Sequence, residues 1–231
     1  MRFSRWDAQG NVYLVSEDGS LTPEAVRATV GSADGILEVF RHGDDWLEIA
    51  IWNPDGSRAE MSGNGTRIAA RWLADRTGSG EVVVRVGDRE VRARMLEDGL
   101  VEQQLGRVVV SPPDEADGVS FVAVDVGNPH AVVEDDPARL LEIGPTLETH
   151  AKFPRRTNVQ VARKVDDSLV EARVWERGAG ETASSGSSAV AVVAALGLTD
   201  TTVRFPGGDL HVRLVDGDAF LTGPAVRVGD A

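Results

Sequence analysis

Two short segments bring together the residue types that an anion site at the start of a helix needs. The first runs Asn53-Pro-Asp-Gly-Ser-Arg-Ala-Glu-Met-Ser62-Gly63-Asn64-Gly65-Thr66-Arg67, and the second Glu176-Arg177-Gly178-Ala-Gly-Glu-Thr-Ala-Ser-Ser185-Gly186-Ser187-Ser188. In each, a serine stands where a loop enters a helical pattern, followed by glycine and small polar residues. The unpaired N–H groups of a first helical turn, with the helix dipole, attract a carboxylate. Glycine lets such a ligand approach the backbone closely. Two such turns can pinch one carboxylate, leaving Ser62 and Ser185 on opposite sides of the carbon attached to it. That geometry suits removing a proton from one face and returning one to the other. The same residues also read as ordinary N-caps with glycine punctuation, and both readings stay open at the level of residue chemistry.

The elements around these turns repeat. Each turn follows an alternating strand that ends in tryptophan, 46–52 and 169–175, with Trp52 and Trp175 each ten positions before its serine. A helix is expected after each serine, over 65–75 and 188–196, with Gly78 and Gly197 at the stops. A strand pair turning on Gly and Asp comes next, at 82–88 and 203–209, and Gly10-Asn11 and Gly127-Asn128 lie in strand-like regions upstream. The offsets of 117 to 123 residues argue for an internal duplication, with its joint in the Pro-, Gly- and acid-rich segment 111–118, which reads as a linker. Thr22-Pro23 and Asp136-Pro137 each supply an N-cap and an N1 proline for a further helix, to about residue 30 and over 138–143. The expected class is α+β with two pseudo-symmetric lobes, each a mostly antiparallel sheet around a helix. The lobes are expected at 1–115, completed by the last strand at 219–231, and at 116–218.

Composition narrows the chemistry. The 231 residues carry 24 Lys plus Arg against 37 Asp plus Glu, a formal charge of −13, so a basic footprint for nucleic acid or an anionic membrane is missing. The absence of cysteine excludes disulfides, thiolate metal sites and a thiol nucleophile. Four histidines without HExxH spacing argue against a metal. Only Lys152 and Lys164 are lysines, which argues against a pyridoxal Schiff base. The longest apolar run, 189–198, is too short to span a bilayer, and the reading is a soluble, cytoplasmic protein. Gly178-Ala-Gly-Glu-Thr-Ala183 formally fits a dinucleotide fingerprint, but no βαβ pattern surrounds it.

Along its whole length the chain resembles the diaminopimelate epimerase family. The resemblance rests on Gly10-Asn11, Gly31-Ser-Ala-Asp-Gly35, Asn53-Pro-Asp-Gly-Ser57, Gly63-Asn64-Gly65-x-Arg67, Gly127-Asn128-Pro-His130, Thr157-Asn158 and Glu176-Arg177-Gly-x-Gly-Glu-Thr182. It implies two similar lobes with an active site in the cleft between them, no cofactor, a small-molecule substrate and the possibility of a homodimer. The implied reaction interconverts LL- and meso-diaminopimelate by two-base proton transfer, in lysine and peptidoglycan precursor synthesis. Residue by residue, it implies that backbone N–H groups around Gly63-Asn64 and Gly186-Ser187 hold the α-carboxylate. Asn11, Asn53, Asn128, Asn158 and Arg177 would recognise the distal amino-acid end, with Glu176 close to both ends, and His130 and Glu176 could support the catalytic pair. An arginine suits a carboxylate because its fork reaches both oxygens.

The chain departs from the family where the chemistry happens. The family flanks the reacting carbon with two cysteines, and here Ser62 and Ser185 align with them. An alcohol begins near the pKa of water, so it is harder to ionise to a base by roughly six or seven pKa units, on the order of 9 kcal/mol of barrier if nothing compensates. Apart from His130 and Glu176, the sequence offers no compensating base, and negligible proton exchange is expected of two bare alcohols. Three readings stay open: serines introduced in place of cysteines, a serine-based variant that works slowly or through a different base, and a relative that binds or eliminates instead. The alternatives by class are a related amino-acid isomerase or dehydratase using serine, and an amino-acid-binding protein without catalysis.

Overall fold

The computed structural model describes residues 2–17 and 19–230, which fall into two compact units, 1–104 with 222–231 and 105–221. The first unit contains β1 (Phe3–Ala8), β2 (Asn11–Ser16), α1 (Pro23–Thr29), β3 (Gly35–His42), β4 (Trp46–Trp52), β5 (Arg58–Ala59), α2 (Gly63–Thr77), β6 (Glu81–Val86), β7 (Arg89–Met95) and most of β8 (Leu100–Arg107). The second contains β9 (Val109–Ala116), β10 (Val119–Asp125), β11 (Pro129–Glu134), α3 (Leu140–Glu148), β12 (Asn158–Lys164), β13 (Leu169–Glu176), β14 (Gly180–Thr182), α4 (Gly186–Ala195), β15 (Asp200–Phe205), β16 (Gly208–Val215) and the start of β17 (Asp218–Pro224). The last strand, β18 (Val226–Asp230), returns to the first unit and pairs antiparallel with β1.

The same strand plan is built twice. In the first unit β18–β1 and β1–β2 are antiparallel, β2–β3 parallel, β3–β4 antiparallel, β4–β6 parallel and β6–β7 antiparallel. In the second, β9–β10, β10–β11, β11–β12, β12–β13, β13–β15 and β15–β16 follow the identical succession of directions. The parallel steps fall where a helix or a helical turn intervenes, as a parallel crossover requires. The chain is therefore α+β and sheet-dominated, with each sheet wrapped about one long helix.

Those helices are buried for different local reasons. In α2 the small residues Gly63, Gly65, Ala69 and Ala70 let strands approach on several sides, while Ile68 and Leu73 fill the core. In α4, Ala189 through Val193 are wholly buried, and a helix apolar all round needs cover all round. Around α4 lie Val124, Val132, Val174, Val203, Leu210 and Val212. No helix among the described residues is long and apolar enough to cross a membrane.

Most expected elements appear with shifted ends. Thr22 caps α1 by accepting from Ala25 N at 3.2 Å. Asp136 accepts from Ala138 N at 3.0 Å, but Pro137–Arg139 is a 3-10 turn and α3 proper runs on to Glu148. Gly78 and Gly197 end their helices at positive φ, 77° and 67°. Two expectations are corrected. The segment 111–118 is strand over 111–116 rather than linker, with 117–118 turning into β10, because Ala116, Glu115, Asp114 and Pro113 pair with β10. Its prolines are exposed, and a strand tolerates proline where the missing N–H has no ladder partner to serve. The glycines of the Gly-Asn pairs sit at tight turns rather than inside strands, with φ of 61° and 79° at Gln9 and Gly10 and 90° at Gly127, while Asn11 opens β2.

Candidate active site

The first serine turn is assembled by β4, β5 and the start of α2. After Trp52 the chain reverses on a turn in which Asn53 N donates to Ser57 O at 2.9 Å and Asn53 Nδ2 to Ser57 Oγ at 2.9 Å. Ser62 then caps α2 with extended backbone (φ −144°, ψ 117°), its Oγ accepting from Gly65 N at 3.0 Å. Glycine at 65 makes this approach possible, since a Cβ there would lie 3.2 Å from Ser62 Cβ and 3.1 Å from Leu37 Cδ2. The first turn of α2 holds no acidic side chain to compete for the positive end of the helix dipole. Asn64 is buried, and its Oδ1 accepts from Arg67 Nη2 at 3.1 Å. Arg67 is fully buried and donates from Nε to Pro224 O at 2.9 Å, while Nη1 finds no partner among the described residues. Burial pulls the guanidinium down to about 10, with Asp7 opposing, which leaves it a cation at neutral pH. Asn11 opens β2 opposite Ala8 and is also buried.

The second serine turn has the same backbone and different side-chain bonding. Ser185 takes φ −149° and ψ 126° before α4, but its hydroxyl makes no capping bond. It is buried, as is Gly186, while Ser187 is half-buried. The capping region is tied down at Ser188, whose Oγ accepts from Gln160 Nε2 at 2.9 Å. Gln160 Nε2 also lies 3.0 Å from His130 Nδ1, and His130 Nε2 lies 2.9 Å from Asn128 Oδ1. With Gln160 donating to Nδ1, the ring carries its proton on Nε2 and donates it to Asn128. Burial draws the His130 pKa down to about 3, and the Arg177 charge adds to this. His130 is thus a neutral ring that orients Asn128, not a base poised near neutrality.

The Arg177 turn hangs on buried carboxylate and amide groups. Glu148 Oε1 accepts from Gly178 N at 2.8 Å and Oε2 from Trp175 Nε1 at 2.7 Å. Asn158 uses both ends of its amide, donating to Pro129 O at 2.9 Å and accepting from Arg177 N at 3.0 Å. Arg177 itself is exposed, and Glu176 accepts from Thr182 Oγ1 at 2.6 Å. Residues 178–182 close a β13–β14 hairpin rather than a phosphate loop, with Glu176 paired to Gly180.

Comparison with known proteins bears directly on this arrangement. A family model described as diaminopimelate epimerase matches residues 122–228. A diaminopimelate epimerase from Alkalilimnicola ehrlichii is 38% identical, covering 99% of this chain and 96% of its own. One from Synechococcus elongatus is 34% identical over the same shares. This chain belongs to the diaminopimelate epimerase family. Among solved structures, a protein described as a predicted epimerase from Pseudomonas aeruginosa superposes with a TM-score of 0.81 at 17% identity, covering 100% of this chain and 98% of that one. A hydroxyproline epimerase from Agrobacterium vitis, with bound trans-4-hydroxy-L-proline, gives 0.69 at 15%, covering 100% and 90%. At these identities the two likenesses speak for the fold.

As a member of the diaminopimelate epimerase family, the chain is an isomerase by descent. The first unit brings Ser62, Gly63 and Asn64 together at one helix start. The second gathers Asn128, His130, Asn158 and Arg177 through shared hydrogen bonds, and holds Ser185, Gly186 and Ser187 at the other helix start. Three supporting residues escape sequence reasoning: Glu148, Gln160 and Tyr13, whose Oη lies 3.1 Å from Ser62 Oγ. A signal for Tyr13 was present, because Gly10-Asn11-x-Tyr13 and Gly127-Asn128-x-His130 share one spacing at an offset of 117 residues.

Proposed function

We propose that this chain interconverts LL- and meso-diaminopimelate by cofactor-independent proton transfer at one α-carbon, with Ser62 and Ser185 as the two proton-transfer groups. The observation that carries the reading is 32–38% identity to diaminopimelate epimerases running along nearly the whole chain. In this reading the N–H groups at Gly63-Asn64 and at Gly186-Ser187 receive the α-carboxylate. Asn11, Asn53, Asn128 and Arg177 serve the distal amino-acid end, and Asn158 serves it by fixing the Arg177 backbone. Glu176, held by Thr182, stands beside Arg177. His130 contributes by orienting Asn128. The family's place in lysine and peptidoglycan precursor synthesis makes the cytoplasm the compartment of this reading.

A second reading, a diaminopimelate-binding protein without turnover, is favoured by the absence of cysteine from the chain, which leaves alcohols where the resemblance implies thiols. Incubation with LL- and meso-diaminopimelate in deuterated water separates the two. Two unaided alcohols are expected to give negligible α-proton exchange, and the Ser62→Cys, Ser185→Cys double variant clear exchange, since a thiol is the better-matched acid–base. Binding without exchange in every variant supports the second reading. No binding of diaminopimelate in any form removes the substrate assignment.

A further inference from the structure

The two units treat corresponding positions differently, and the difference falls on Ser62. Tyr13 of β2 stands beside Gly35 of β3 in the parallel pairing, and His130 of β11 stands beside Asn158 of β12 in the matching pairing of the second unit. His130 turns its two ring nitrogens to Asn128 and Gln160, and reaches the start of α4 only through Gln160 and Ser188. Tyr13 reaches the start of α2 directly, its hydroxyl 3.1 Å from Ser62 Oγ. The buried ring has room because residue 35 is glycine: a Cβ there would lie 2.7 Å from Tyr13 Cε1.

We propose that Tyr13 is the positioning residue of Ser62 and holds the proton that Ser62 exchanges, on the geometry of a phenol hydroxyl bonded to the serine at the start of α2. The inference rests on the epimerase reading above. Ser62 Oγ already accepts from Gly65 N, so the direction of the Tyr13 bond selects its state. When Tyr13 donates, both acceptor positions of Oγ are filled and the serine proton is left to point at the substrate. When Ser62 donates to a Tyr13 phenolate, Oγ keeps one acceptor position open and acts as base.

In the abstracting direction the α-proton moves from carbon to Ser62 Oγ as the serine's own proton moves to the Tyr13 phenolate. The C–H electron pair stays on the substrate as a carbanion, and the phenolate becomes a neutral phenol. In the donating direction the Tyr13 proton moves to Ser62 Oγ while the serine proton bonds to the carbanion, regenerating the phenolate. Negative charge here is favoured by the acid-free first turn of α2. A phenol is ordinarily far more acidic than an alcohol, so the relay moves the charge to the oxygen that holds it better.

The test is a double-variant cycle on Tyr13→Phe and Ser62→Cys, read by α-proton exchange and turnover of LL- and meso-diaminopimelate. With Ser62 in place, Tyr13→Phe is expected to lower kcat by about 100-fold or more, the scale of general acid–base catalysis. KM should stay within about threefold, because the phenyl ring keeps its packing and no substrate group is assigned to the hydroxyl. With Cys at position 62 the loss should shrink to about tenfold or less, since a thiol carries its own tunable proton. Equal losses in both backgrounds, or no loss with Ser62, would overturn the proposal. Exchange by the double cysteine variant with none by the native chain also overturns it, while leaving the epimerase reading in place. Absence of both exchange and binding in every form overturns the two together.

Discussion

At the residue scale, Ser62 and Ser185 share backbone angles but not roles in stability. Ser62 caps α2 and also meets Tyr13, whereas the hydroxyl of Ser185 makes no capping bond. Urea unfolding should therefore show Ser62→Ala costing about 1 kcal/mol, the usual worth of an N-cap. Ser185→Ala should cost about half a kcal/mol or less, because removing an oxygen that caps nothing leaves no donor unsatisfied. His130 makes a second residue-scale prediction. Its folded pKa of about 3 lies below the unfolded value of 6.5, so between those two the unfolded chain binds the extra proton. Stability from this group is complete above about pH 6.5 and falls as the pH drops toward 3, by up to about 1.4 kcal/mol per pH unit. Unfolding free energies measured from pH 7.5 to 4.5 should show this slope in the native chain. In His130→Gln, which keeps an amide for hydrogen bonding, the slope should flatten.

At the element scale, each tryptophan that ends a central strand anchors a buried carboxylate. Trp52 Nε1 donates to Glu38 Oε2 at 2.8 Å, and Trp175 Nε1 donates to Glu148 Oε2 at 2.7 Å. The partners come from different elements, β3 in one unit and the end of α3 in the other, so the strand ends are equivalent while their supports are not. Glu148 also holds Gly178 N, which couples the end of α3 to the Arg177 turn. Trp175→Phe keeps most of the packing but strips one donor from a buried carboxylate. It should cost about 1–3 kcal/mol in chemical denaturation, the scale for an unsatisfied buried polar group.

At the scale of the whole molecule, duplication was legible because its marks are local. Trp-to-Ser spacing, helix-entry serines and helix-stop glycines recur in the chain, and the pairing directions of the two sheets repeat in register with them. The segment 111–118 misled because composition reports turn propensity but not pairing. Its two prolines are exposed, and Pro113 stands opposite Val122 of β10 beside a register shift. Likewise the all-apolar stretch in α4 announces burial without saying by which strands.

By itself, the sequence determined the class of fold, the two helix starts led by serine, and the family resemblance. These rest on residue type and short-range spacing, which a helix or a hairpin converts directly into geometry. Tertiary structure decided what each side chain touches. It put a phenol 3.1 Å from Ser62 across 49 residues, tied His130 to Ser188 through Gln160, and spent both ends of the Asn158 amide on backbone. Such contacts depend on which strands become neighbours and on their register, and a shift of one residue would turn every one of these side chains to the other face.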